Sequence, residues 1–228
     1  MGKAVIFTNG DLRDVSTLKS LISPESFFIA ADGGWVHAQH LGIQPHVLIG
    51  DFDSMPKKKL AVLRESAVQL MRFPQAKDQT DLELALHEAV GRGYRDILIV
   101  AGLGGRVDQT IGNLMLLTHP AFRDCQIHLD DGVEEIWLVK STLTIHGQVG
   151  DRVSLIAFGL DAEGITTRGL KYPLTNETLF PYQTRGISNL MASDVARIDL
   201  QHGRLLCIHT RKRRGKQIKS NNISQSEV

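Results

Sequence analysis

Val47-Leu48-Ile49-Gly50-Asp51-Phe52-Asp53-Ser54 joins a short apolar run to two carboxylates one residue apart. The run is too short for a helix and rich in β-branched residues, so it reads as a buried strand. A buried strand that ends in acid places that acid at the carboxyl edge of a parallel sheet, where ligands of open α/β sheets bind. Two carboxylates without a basic partner repel each other, and a cation such as Mg²⁺ between them relieves the repulsion. The same Asp and Ser residues would also suit a turn or a helix cap.

On either side of this stretch, strand and helix signals alternate. Ala4–Phe7, Phe27–Ala31 and Ile97–Ala101 are apolar runs, and Val68–Phe73 also reads as a strand. Leu12, Val15 and Leu18 recur at helical spacing. So do Trp35, Ala38 and Leu41, followed by Gly42 and Pro45, the order that ends a helix. Leu60 and Leu63 after Pro56, then Leu82, Ala85, Leu86 and Ala89, then Ile111, Leu114 and Met115, mark further helices. This alternation predicts a mostly parallel sheet flanked by helices. After about Cys125 the helical spacing fades. Gln126–Leu129, Ile136–Val139, Thr142–Ile145, Val153–Phe158, Val195–Leu200 and Leu205–His209 read as strands separated by glycine-rich turns, which predicts an all-β sandwich or barrel.

The 228 residues are 42% apolar and 22% charged, an ordinary globular composition. No apolar run is long enough for a membrane span, and the N-terminus reads as a strand and not a signal peptide, so a cytoplasmic location is expected. Cys125 and Cys207 lie in apolar-alternating segments and are expected as buried thiols. The net charge of +1 hides an asymmetry. Arg211, Lys212, Arg213, Arg214, Lys216 and Lys219 face only Glu227 at the C-terminus, and the rest of the chain is net acidic. Residues 211–228 are expected to form a basic disordered tail.

Four polar clusters follow strands of the first half: Asp32-Gly33-Gly34, Asp51 with Asp53, Lys77-Asp78-Gln79-Thr80-Asp81, and Gly102-Leu103-Gly104-Gly105-Arg106-Val107-Asp108. In a parallel sheet all four share the carboxyl edge. Thr80-Asp81-Leu82-Glu83 fits a capping box and puts Asp81 in a first helical turn, facing either solvent or the other acids. Glycine-rich turns leading into a helix suit phosphate, and Arg106 adds a planar cation for phosphate oxygens, unless it pairs with Asp108. The loop lacks the ending of a Walker motif. Carboxylates for a divalent cation beside a phosphate cradle describe phosphoryl-type transfer.

These residues resemble the thiamine pyrophosphokinases of bacterial type. The resemblance rests on Asp32-Gly33-Gly34, Gly50-Asp51-Phe52-Asp53-Ser54, Lys77-Asp78-Gln79-Thr80-Asp81, Gly104-Gly105-Arg106-Val107-Asp108-Gln109 with Asn113, Gly169-Leu170-Lys171-Tyr172-Pro173-Leu174, and Gly186-Ile187-Ser188-Asn189. It implies an α/β nucleotide-binding domain over residues 1–133 and a β-sandwich thiamine-binding domain over 134–210. It also implies a homodimer with the site near the subunit interface, and transfer of the terminal pyrophosphoryl group of ATP to thiamine. On this resemblance Asp51, Asp53 and Asp81 hold Mg²⁺ and serve catalysis. Asp32, Gly33, Asp78, Gln79, Thr80, Gly104, Gly105, Arg106 and Asp108 bind ATP. Ser188 and Asn189 reach thiamine. The chain departs from the family in lacking an aromatic residue beside Ser188-Asn189, and in having Gln109 where histidine is usual.

Two other readings compete. Strand–Asp-x-Asp-x-Ser resembles the nucleophile motif of haloacid-dehalogenase-like phosphatases, with Asp130-Asp131 as the late acidic element, but it leaves Asp78–Asp81 and Gly104–Asp108 unexplained. An RNA-binding module would make the basic tail essential, whereas the sequence favours a solvated tail without nucleic acid.

Overall fold

The computed structural model describes residues 2–53 and 55–212. Ser54 and the tail from residue 213 lie outside the described residues. Among those described, no helix is long and apolar enough to cross a membrane.

The first half runs β1 (Lys3–Phe7), α1 (Val15–Leu21), β2 (Phe27–Ala31), α2 (Trp35–Leu41), β3 (Val47–Gly50), α3 (Lys57–Arg64), β4 (Gln69–Arg72), α4 (Asp81–Gly91), β5 (Asp96–Val100), α5 (Val107–Leu116) and β6 (Gln126–Asp130). The strands pair in parallel in the order β6-β5-β1-β2-β3-β4. Alternation along each strand builds two cores. Ala4, Ile6, Ile29, Ala31, Val47, Ile49, Ile97 and Ile99 face α4 through Leu82, Ala85, Leu86 and Ala89. Val5, Phe7, Phe28, Ala30, Leu48, Leu98 and Val100 face the opposite layer, with Leu18 of α1 and Ala38 and Leu41 of α2. Burial on both faces explains why these strands are continuously apolar.

Helix ends follow local chemistry. Asp14 caps α1 by accepting from the Ser16 and Thr17 backbone N–H groups, and with the Ser16 hydroxyl this holds its carboxyl at about 2. α2 ends at Gly42 with φ of 77°, the left-handed cap its sequence foretells. Thr80 caps α4 by accepting from Glu83 N–H. The Glu83 carboxylate takes the Gln79 side-chain amide (3.1 Å), a partner the capping-box reading does not foresee.

The second half comprises β7 (Glu134–Val139), β8 (Thr142–His146), β9 (Arg152–Ala157), β10 (Ala162–Arg168), β11 (Glu177–Leu179), β12 (Asn189–Leu190), β13 (Val195–Asp199) and β14 (Leu205–Thr210). β7 pairs antiparallel with β6, and β14, β9 and β12 extend the same sheet, which reaches ten strands. A second sheet, ordered β11-β10-β13-β8, is antiparallel. Val139, Val153, Leu155, Leu205 and Cys207 of the large sheet pack against Ile145, Ala162, Ile165, Ala196 and Ile198 of the small one. The sandwich is therefore not separate from the α/β part, because one of its two sheets continues from the parallel sheet. β10, β11 and β12 lie outside the strands read from sequence. In β10 the register slips between Ala162 and Ile165, so its inward residues do not alternate. Both cysteines are free and buried, as expected.

The expected tail begins too early at residue 211. Arg211 donates to both Asp130 oxygens (3.0 and 2.7 Å) and to Glu135 (2.9 Å), and the Lys212 N–H donates to Asp151. Two buried carboxylates require this cation, so Arg211 belongs to the fold. Beside it lies His209, fully buried, with Nδ1 2.9 Å from Glu135 and Nε2 2.9 Å from Asp151.

These buried pairs make stability depend on pH. Burial alone would depress the His209 pKa, but the bonds to Glu135 and Asp151 outweigh it and raise the value above 6.5. The charged His209 therefore stabilises fully below 6.5 and loses that effect as pH rises through the raised value. His128, buried against Trp137, is pushed down to about 3, so stability also falls as pH drops from 6.5 toward 3. Thermal melts across pH should peak near 6.5. His209→Gln should cost about 3 kcal/mol near that peak and flatten the alkaline limb; an unchanged alkaline limb would refute this account. Separately, a Cβ on Gly10 would meet the carbonyl oxygens of Leu103 at 2.2 Å and Ala101 at 2.4 Å. Gly10→Ala should lower the urea midpoint by the equivalent of about 1–3 kcal/mol without changing the slope.

Candidate active site

In this sheet the chain leaves β1 toward β2 on one side and later fills β5 on the other, so β1 and β5 flank a topological switch point. Their carboxyl ends stay joined beyond the strands. Thr8 N–H bonds Val100 O (3.0 Å), Gly10 N–H bonds Ala101 O (2.8 Å) and Asp11 N–H bonds Leu103 O (2.7 Å). A cleft of about 610 Å³ opens at this edge. Asp32 and Asp51, from the ends of β2 and β3, line it with Gln79, Thr80 and Asp81 at the start of α4 and Gly104, Gly105 and Arg106 before α5.

The backbone around the cleft is strained in a consistent place. Asp32 (φ 46°), Phe52 (62°) and Ala101 (56°) are left-handed without being glycine, and each directly follows or nearly follows a parallel strand. Such conformations persist only where the surroundings enforce them, and they gather at functional sites. Gly104, at φ of 85°, has a second constraint, since a Cβ there would lie 2.1 Å from an Asp11 carboxylate oxygen.

Electrostatics differ from the sequence reading, in which the acids lacked basic partners. Lys77 Nζ lies 2.7 Å from Asp81, with both side chains largely buried. Arg72 reaches Asp53 at 3.3 Å on an exposed surface. The Asp53 N–H donates to Asp51 Oδ1 (2.9 Å), an Asx-type turn. The turn reading of this stretch is thus correct locally and coexists with Asp51 lining the cleft. Arg106 pairs with Asp108, which holds that carboxyl below its ordinary range. Both groups are exposed, so a phosphate can compete for the guanidinium at little cost.

Other expected residues fall elsewhere. Asp53, Asp78 and Asp108 are exposed and do not line the cleft. Gly33 does not line it either; a Cβ there would strike the Asn9 side chain at 2.5 Å, so its smallness admits Asn9. Ser188 and Asn189 lie in the sandwich, also away from the cleft lining. Ser188 has φ of 64° and donates its N–H to Ser154 Oγ, while the Asn189 amide is spent on the Tyr172 backbone, accepting at 3.0 Å and donating at 2.7 Å. Asp130 and Asp131, which a phosphatase would need, are held by Arg211 and Arg13.

The cleft also contains residues to which the sequence reading gave no role: Thr8, Asn9, Gly10, Gln75, Lys77 and Asn113. Thr8-Asn9-Gly10 is a polar end on an apolar strand, the same signal that identified Asp32, and it could have been found. Asn113 is buried on α5 and donates to Gly102 O (2.8 Å), fixing the glycine loop. The donors facing the cleft from Asp32, Asp51 and Asp81 are hard carboxylate oxygens, the type that Mg²⁺ takes alongside phosphate oxygens. By donor type the residues present therefore fit that ion, although no three of these carboxylates bring oxygens within 4.8 Å of one another.

Comparison with known proteins identifies the family. Residues 18–129 match the family model "Thiamin pyrophosphokinase, catalytic domain", and residues 140–205 match "Thiamin pyrophosphokinase, vitamin B1 binding domain". The thiamine pyrophosphokinase of Bacillus subtilis is 30% identical over 208 residues, covering 90% of this chain and 97% of that protein. Its crystal structure superposes with a TM-score of 0.81 at 28% identity, covering 92% of this chain and 99% of the other. Thiamin pyrophosphokinase of Geobacillus thermodenitrificans gives 0.80 at 26% identity, with coverage of 94% and 99%. With a matching fold along nearly its whole length and an acid-and-glycine cleft at the switch point, the chain belongs to the thiamin pyrophosphokinase family.

Proposed function

We propose that this chain transfers the terminal pyrophosphoryl group of ATP to the hydroxyl of thiamine, releasing AMP and thiamine pyrophosphate. The observation that carries this reading is the convergence of Asp32, Asp51 and Asp81 with the Gly104-Gly105-Arg106 loop in one cleft. In the reaction the thiamine hydroxyl oxygen bonds to the β-phosphorus and gives up its proton to solvent, the bond from that phosphorus to the oxygen bridging it to the α-phosphorus breaks, and AMP leaves with that oxygen.

The residues divide the work by chemistry. Asp51 and Asp81 would hold Mg²⁺, with Asp53 joining once it releases Arg72. The ion, when bound, neutralises charge on the transferring phosphates. Lys77, already beside Asp81, adds a fixed positive charge at the same place. Arg106 exchanges Asp108 for phosphate oxygens, and the Gly104-Gly105 backbone allows those oxygens to approach. Asp32, Gln79 and Thr80 line the nucleotide part of the cleft, and Asp78 and Asp108 border it.

Thiamine needs a second wall, because Ser188 and Asn189 lie outside the cleft lining. We assign that wall to a homodimer in which these residues meet the cleft of the partner subunit. Val107, Ile111 and Met115 support this, since they form an exposed apolar stripe on α5 directly after Arg106. The α/β unit over residues 1–133 then serves ATP, and residues 134–210 serve thiamine. The two free, buried cysteines accord with a cytoplasmic location.

Purified protein with ATP, Mg²⁺ and thiamine should release AMP in equal amount to thiamine pyrophosphate; release of ADP would refute the reaction. Asp51→Asn should reduce kcat at least about a hundredfold while leaving the melting temperature near wild type. Removing residues 213–228 should leave turnover unchanged, whereas loss of activity on truncation would give the basic tail a functional role.

A further inference from the structure

We infer that Glu83, His87 and His119 form a binding site for one divalent cation of the zinc type, separate from the carboxylates of the cleft. Glu83 and His87 stand one turn apart on α4, and His119 comes from the segment that follows α5. Their ligand atoms all lie within 4.8 Å of one another, and among the described residues no other trio of His, Cys, Asp or Glu does this. The expected trio of Asp51, Asp53 and Asp81 does not.

The geometry is held in place from below. Phe122, fully buried, sits 4.9 Å from both imidazole rings, and the rings meet edge to face at 5.5 Å and 88°. All three ligand residues are half-buried, which limits the freedom a cation would have to remove. Two imidazoles and one carboxylate make the donor set of zinc sites that keep an open position. Mg²⁺ and Ca²⁺ prefer oxygen alone, so this site would not compete for the ion at the cleft. Zinc bonds near 2 Å place donors roughly 3.3 Å apart, so each side chain needs to close by about 1 Å.

The contacts that binding must displace are weak. Glu83 accepts from Gln79 (3.1 Å) and touches His87 at 4.0 Å. His119 Nδ1 accepts the Ala121 N–H (3.1 Å), and use of either ring nitrogen gives that bond up. Ala121 is exposed, so water replaces it. The bound cation would cross-link the helix that opens with Asp81 to the segment closing α5, the helix that follows Arg106. It would also draw Glu83 from Gln79, a residue of the cleft lining.

The test is calorimetric titration of the full chain with Zn²⁺ in excess Mg²⁺, together with His87→Gln and His119→Asn. Asparagine at 119 keeps a side-chain acceptor for the Ala121 N–H, so the local turn survives. Wild type should bind one equivalent, and each variant should bind at least about tenfold more weakly, since loss of a ligand should cost no less than loss of an outer-shell partner. Co²⁺ bound to wild type should show d–d absorption without a thiolate charge-transfer band. Absence of binding by wild type, equal affinity in both variants, or a thiolate band would each overturn the assignment.

Discussion

The close joining of β1 and β5 beyond their hydrogen-bonded ends is the constraint on which the cleft depends. A sheet whose strand order reverses must leave a gap between the outgoing connections of two neighbouring strands. Here the gap is shaped by backbone and not by side chains. Thr8, Gly10 and Asp11 bond the chain leaving β5, and Gly10 leaves no room for a Cβ against the Leu103 carbonyl. That clamp directs the Gly102–Arg106 loop over the carboxyl edge, toward the acids delivered by β2, β3 and α4. The left-handed backbone at Asp32, Phe52 and Ala101 is where the sharp exits from β2, β3 and β5 are made.

Charge is the second organising element, and it is handled differently in the two halves. Around the cleft, the pairs of Asp53 with Arg72 and Arg106 with Asp108 are exposed and exchangeable. An exposed pair is worth little, so a phosphate or a cation can displace it cheaply. In the sandwich, Asp130, Glu135, Asp151, His209 and Arg211 form a network in which the carboxylates are largely withdrawn from water. Breaking any member strands a charge, so that network fixes where the last strand ends and does not exchange partners.

The ten-stranded sheet makes the two halves mechanically continuous. β6 serves both, pairing in parallel with β5 and antiparallel with β7. Ser188 and Asn189, at the β12 edge of that sheet, are therefore tied through it to the strands that frame the cleft.

Much of this was legible in the sequence because it depends on local chemistry. Apolar runs ended by Asp32 and Asp51 gave the parallel strands and their edge, Gly42 gave a helix end, and Thr80 gave a cap. Readings failed where distant residues decide. The irregular register of β10 hid its period, and Arg211 looked like tail until Asp130 and Glu135 were seen beside it. That Gly33 makes room for Asn9 is likewise a contact between distant residues. The sequence by itself determined the strand–helix order, the identity of the acids and the family. Only the tertiary structure decided which of those acids share the cleft, which have taken a basic partner, and that Glu83, His87 and His119 meet. Secondary structure follows from neighbours a few residues apart, but a site is an encounter between strands and helices far apart in the chain, fixed by sheet order and burial.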